Sequence, residues 1–331
     1  MHCGLQQSTW VPGPASIAAT AAIAAAALLY LRGFRRLHSH YPEIAAGCRP
    51  GALFAGLAVL WIVIASPLST LDHRLLTFHM LQHLVLMTIA APLLLLASPG
   101  AAFLRGLPVP ARRAAIWALR SDRVRRIGRA LTHPAVCWLV GTGVVIAWHV
   151  PAAHELGLRS SSWHLVQHAT FFASGLLFWW PVVHGTPRTA LGAAPLYLFL
   201  ATLPCDALSA FLSFCGRVIY PSHAGAQAFL GMSALQDQEC AGALMWFWVT
   251  IAYLLPAAAI TLRMLWPRAA AGSASGKNLV GPLKVGSNPT VVLQAIRSRG
   301  AGMVHAHARD WPSMVAGAGV ASVDPNDSRK A

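Results

Sequence analysis

FHMLQHLVLMTIAAPLLLLASP, residues 78–99, is the stretch that decides the fold. It contains no Asp, Glu, Lys or Arg, and it is about as long as a helix that crosses a bilayer core. Into this apolar run the chain sets His79 and His83, with Gln82 beside them. Residues 163–172, WHLVQHATFF, repeat the pattern with His164, Gln167 and His168, and apolar sequence again follows. In a helix, residues i and i+4 share a face, so each histidine pair marks one side of its segment. Ionisable groups are costly against lipid, which turns both faces toward the inside of a bundle.

The rest of the chain fits that reading. Its 331 residues are 56% hydrophobic and 11% charged, against about 25% charged in a soluble domain. Segments 15–31, 51–67, 76–98, 134–150, 162–182, 191–214 and 240–266 read as spans. The expected fold class is all-α, a polytopic transmembrane helical bundle of about seven spans. Arginines orient it. Arg32, Arg35, Arg36 and Arg49 follow the first span, eight arginines from Arg105 to Arg129 follow the third, and Arg263, Arg268 and all three lysines lie at or beyond the end of the seventh. Basic connections stay in the cytoplasm, which puts the N-terminus outside and the C-terminus inside. The formal net charge of +15 is therefore a topology signal, and no nucleic-acid motif accompanies it.

No basic residue precedes the first apolar run, so 15–31 reads as a retained helix and not a cleaved leader. The six cysteines form no CxxC pair, against a thiol redox site. Residues 105–131 read as a cationic helix on the inner leaflet, with Ile116, Val124, Ile127 and Leu131 as its apolar side. Residues 1–270 are expected to form the membrane domain and 271–331 a flexible cytoplasmic tail, with His305 and His307 in it.

With this topology the third and fifth spans run the same way, and both histidine pairs sit in their outermost turns. His149 ends the fourth span at the same depth, His73 and His154 lie in outer turns, and the loop 220–240 adds His223 and Asp237. Met245 is just inside the seventh span; Cys205 and Asp206 lie in the outer half of the sixth. Imidazole suits copper, zinc, iron and nickel. The candidate ligands are His79, His83, His149, His164, His168, His223, Asp237 and Met245. Gln82, Gln167 and Gln238 are candidates to orient them through hydrogen bonds. Asp237 has a second reading, as the cap of the seventh helix. A short internal match, SPLSTLDHRLLTFHMLQH (66–83) against VPAAHELGLRSSSWHLVQH (150–168), suggests a site between two repeated units.

Taken together, HMLQHLVLMTIAAPLLLLASP, WHVPAAHELGL, HLVQHATFFASGLLFWWP, LYLFLATLP and LQDQECAGALMW resemble, in order and spacing, the CtaG-like cytochrome c oxidase assembly factors of the caa type. The likeness covers about residues 50–266. It implies a multi-pass protein of the bacterial plasma membrane that helps assemble a haem–copper oxidase through copper, with no catalysis required. Its characteristic positions fall on His79, His83, His149, His164, His168, Asp237, Gln238 and Met245. The expected partners are an oxidase subunit, the lipid bilayer and a periplasmic copper carrier, and no nucleic acid. Two other readings stay open: a haem-binding redox protein, since histidines on separate helices can be axial ligands, and a metal transporter.

Overall fold

The structure is a computed structural model and describes residues 13–67, 71–72, 74–185, 187–223 and 231–265. The tail 271–331, with His305 and His307, lies outside the described residues, as does His73. Among the described residues every regular element is helical. Helix α1 is Pro14–His40, α2 Pro50–Ile64, α3 Leu76–Leu96, α4 Gly100–Gly106, α5 Val109–Arg120, α6 Asp122–Leu131, α7 Pro134–His149, α8 Pro151–Arg159, α9 Ser161–His184, α10 Pro187–Phe214 and α11 Ala234–Leu265.

All seven segments expected to span are helices. Four of them, α1, α3, the Gly192–Phe214 part of α10, and α11, are individually long and apolar enough to cross a membrane; α6 and α7 meet that condition as a pair bent by 62°. The chain is a multi-pass helical membrane protein. The cationic stretch 105–131 is broken at Leu107 and again at Ser121, where the backbone is extended, so it runs from the end of α4 through α5 and α6 and is not one helix. Neither has a buried residue, and Trp117 is 78% exposed.

Two apolar clusters hold the described chain together. The smaller joins α1, α2 and α4 around Tyr30, Leu37, Leu53, Leu57 and Ala102. Here α1 and α4 touch backbone to backbone: a side chain at Gly33 would strike the Ala102 carbonyl, and one at Gly106 the Leu29 carbonyl. The larger cluster joins α3, α7, α9, α10 and α11 around Met80, Met87, Phe171, Phe178, Leu198, Met245 and Tyr253. Without a hydrophobic drive in lipid, such contacts rely on close packing and interhelical hydrogen bonds. The indoles supply several: Trp148 Nε1 donates to Thr170 Oγ1, Trp179 Nε1 to the Met87 carbonyl and Trp248 Nε1 to Thr88 Oγ1, each at 2.9 Å.

The last two of these meet α3 at its one irregularity. Residues Leu86–Ala90 form a π turn, which spaces the helical bonds more widely than an α-helix does. The Trp179 bond satisfies the Met87 carbonyl within that turn. Gly175 of α9 packs directly on it, with room for no Cβ: one would lie 2.9 Å from Met87 Cα.

Candidate metal centre

Helix α3 starts where an acid from the other end of the chain meets it. Leu75 is extended, and the first N–H groups of the helix have no intrahelical acceptor. Asp237 provides one: Oδ2 accepts from Leu76 N at 2.6 Å, and Oδ1 from Thr77 N at 3.1 Å and Thr77 Oγ1 at 2.7 Å. Asp237 therefore caps α3, the helix that carries His79 and His83, rather than its own helix. Helix α11 begins six residues earlier than expected, at Ala234, because Ser233 and Gln236 form a capping box: Gln236 N donates to Ser233 Oγ and Ser233 N to Gln236 Oε1. Asp237 thus sits inside the first turn of α11, with both of its oxygens turned to α3.

On α9 the Ser160 hydroxyl accepts from Trp163 N and starts the helix, so His164 and His168 occupy its first two turns. The two pairs face each other. His79 Nε2 and His83 Nε2 are 2.9 Å apart. The ring centres of His164 and His168 are 4.2 Å apart, those of His83 and His168 5.2 Å, and those of His79 and His164 5.9 Å. Gln167 Nε2 reaches His79 Nε2 at 3.5 Å, the far limit of a hydrogen bond. Its other end packs on Gly157, where a Cβ would lie 2.7 Å from Gln167 Oε1.

Three further residues join from the turns. His154 of α8 packs 4.9 Å from His79, and His223, in the short 3-10 turn Pro221–His223, lies 5.7 Å from His79 and 5.3 Å from His154. Asp72 Oδ2 is 3.0 Å from His164 Nε2, while the Asp72 carbonyl accepts from His223 Nε2 at 3.1 Å. Asp72, His164 and His168 bring one ligand atom each within 4.8 Å of one another, close to the span of a single ion's coordination sphere. Asp72 and His154 were not among the expected ligands, although each lies in the leading turn of one copy of the internal match.

His149 stands at the edge of the cluster. Its Nδ1 donates to the Val145 carbonyl at 2.7 Å, which leaves Nε2 as the basic nitrogen, buried and with no hydrogen-bond partner. His223 is fixed in the opposite sense: Nε2 donates to Asp72, and Nδ1 is buried with no partner. His79 Nδ1, His83 Nδ1 and His154 Nε2 are likewise buried and unpaired. Buried polar atoms usually find partners, so this many orphaned nitrogens in one place fit a cation. Burial, followed by the neighbouring His223, His149 and His164 rings, pushes the His154 imidazole down to about 3, and burial lowers His223 as well. Both rings are neutral at pH 7, the form that binds metal.

The remaining expected residues have other neighbours. Gln82 is buried, and its Oε1 has no partner. Gln238 holds the chain between α10 and the 3-10 turn: its Oε1 accepts from Ile219 N, and its Nε2 donates to the Arg217 carbonyl at 2.9 Å. That segment carries Tyr220, whose hydroxyl donates to the His149 carbonyl. Met245 is buried and lines one pocket with Met80, His83 and His149. Cys205 lines the same space, and Asp206 does not.

A cluster of imidazoles and one carboxylate, buried between the ends of membrane helices, defines a candidate metal-handling membrane protein. The chain matches the family of cytochrome c oxidase caa3 assembly factors over residues 28–266, more than half its length, and it belongs to that family. No curated protein and no solved structure matches it.

Proposed function

We propose that this assembly factor takes copper into the cluster of Asp72, His79, His83, His154, His164, His168 and His223 and delivers it to a haem–copper oxidase subunit in the bacterial plasma membrane. The observation that carries the reading is the convergence of α3, α8, α9 and two intervening turns on one set of buried imidazoles around Asp72, with Asp72, His164 and His168 within 4.8 Å of one another. Neutral imidazoles bind copper well, and Asp72 offsets its charge. The protein's part is to bind, hold and release the ion, with no bond made or broken in a substrate. In the arginine-based topology, N-terminus outside and C-terminus inside, the cluster faces the periplasm, where a copper carrier would load it. Asp237 and Gln238 serve by positioning α3 and the segment that bears Tyr220.

The packing of the rings supports an ion over haem. Their centres lie 4.2 to 5.9 Å apart, in direct contact, with no slot between the pairs for a macrocycle. The test is elemental analysis of the purified chain for copper, zinc and iron together, paired with the copper content of the oxidase in cells. Near-stoichiometric copper, lost together with oxidase copper when His79, His83, His164 and His168 are all changed to Ala, is the expected result. Iron with a persistent Soret band, or normal oxidase copper in that variant, would overturn the proposal.

A further inference from the structure

On the inner side of the imidazoles the helices enclose a second space of different chemistry. A cavity of about 30 Å³ is lined by Met80, Met87, Met245, Cys205, His83 and His149, with Thr88, Tyr253 and apolar side chains around them. Met80, His83 and Met87 stand at i, i+3 and i+7 of α3 and so share a face. Met245 comes from α11, Cys205 from α10 and His149 from α7. Met80, Met87, Met245 and Cys205 are each at most 6% exposed. Three thioethers, a thiol and two imidazoles from four helices therefore surround one small space.

We propose that this cavity is a binding site for a soft monovalent cation, copper in its cuprous state, separate from the Asp72–His164–His168 site and joined to it through His83. The inference rests on the copper reading above and adds a second station to it. Size is the first reason. One water-sized guest needs about 10–15 Å³, so the space accepts a bare ion and excludes a hydrated one or an organic ligand. The donors are the second. Thioether sulfur is a poor hydrogen-bond acceptor, whereas thiol and thioether ligands select cuprous copper over hard divalent ions. Charge is the third. No carboxylate lines the cavity, and desolvating a single charge costs much less than desolvating a double one. The unpaired His149 Nε2, on a ring held by the Val145 carbonyl, adds a fixed nitrogen donor. His83 stands at the boundary of the two sets: its Nε2 lies 2.9 Å from His79 Nε2, and its side chain lines the cavity.

The test uses the purified full chain, with silver(I) as a redox-inert probe and copper(I) under reducing, anaerobic conditions. X-ray absorption of the wild-type protein should show sulfur neighbours around either ion. Combining Met80→Leu, Met87→Leu and Met245→Leu keeps the packing volume nearly constant. That variant should bind silver(I) at least tenfold more weakly, lose the sulfur neighbours and keep zinc(II) binding at the imidazoles. His164→Asn with His168→Asn should do the reverse. Nitrogen and oxygen neighbours alone in the wild type, or sulfur neighbours and silver affinity that survive the triple change, would show that the methionines are core filling only. Failure of the copper-delivery reading has a different signature: normal oxidase copper in the His164/His168 variant, whatever silver does.

Discussion

Two buried acids stand close to the imidazoles, and their partners divide their roles. Asp72 reaches a histidine; Asp237 reaches only the start of α3. Asp237→Ala leaves the Leu76 and Thr77 N–H groups without their acceptor in a buried place, while the Thr77 hydroxyl keeps the residue-237 carbonyl, a cost of about 1–3 kcal/mol. Its expected effect is a lower melting temperature in detergent, with weaker metal binding following from a displaced α3. Asp237→Asn keeps one acceptor oxygen and should lose less on both counts. If instead Asp237→Ala abolished metal binding without lowering the melting temperature, Asp237 would be a ligand. The histidine pairs were readable in the sequence because their spacing equals one helical turn. The neighbour of Asp237 was not, since the two residues it caps lie about 160 positions away and no local pattern joins them. Met80 and Met87 were hidden for another reason: within an apolar span, methionine reads as one more hydrophobe.

At the level of elements, the seven helical segments follow from runs of apolar residues between arginine-bearing connections, and all seven are helical, four of them long and apolar enough on their own to cross a membrane. Their ends were less legible. The capping box at Ser233 lengthens α11, and Pro50 opens α2 one residue before the expected start. The π turn of α3 left no trace in composition; in the fold Trp179, Trp248 and Gly175 pack against it. Gly175→Ala should therefore be destabilising by about 1–3 kcal/mol, since the new methyl meets the α3 backbone, which cannot turn aside. Gly143→Ala on α7 meets nothing within 4 Å and should leave the melting temperature unchanged or raise it. Equal behaviour of the two variants would contradict the close approach of α9 to the π turn.

Across the whole molecule, the cluster makes stability depend on pH. The folded protein keeps His154 neutral down to about pH 3, while an unfolded chain takes up that proton near 6.5. Between those values the unfolded state binds more protons, so stability falls as pH drops through the window. The metal-free protein should melt at a lower temperature at pH 5 than at pH 7, and His154→Gln should reduce the difference. A melting temperature independent of pH across that range would count against a buried neutral His154.

The burial of the centre has a consequence in time. His79, His83, His154, His168, His223 and Asp72 are each at most 5% exposed, and the His164 side chain is 14% exposed. Beyond the edge of His164, a chelator in solution reaches such an ion only when the surrounding packing opens. Extraction from the isolated, loaded protein should therefore speed up with chelator concentration only to a ceiling, where the opening of the structure sets the rate. Under the proposed copper reading, the same isolation would make unaided release slow, and an oxidase subunit that favours the opened form would shorten the wait by binding it. Stopped-flow extraction with and without the client would separate the two rates.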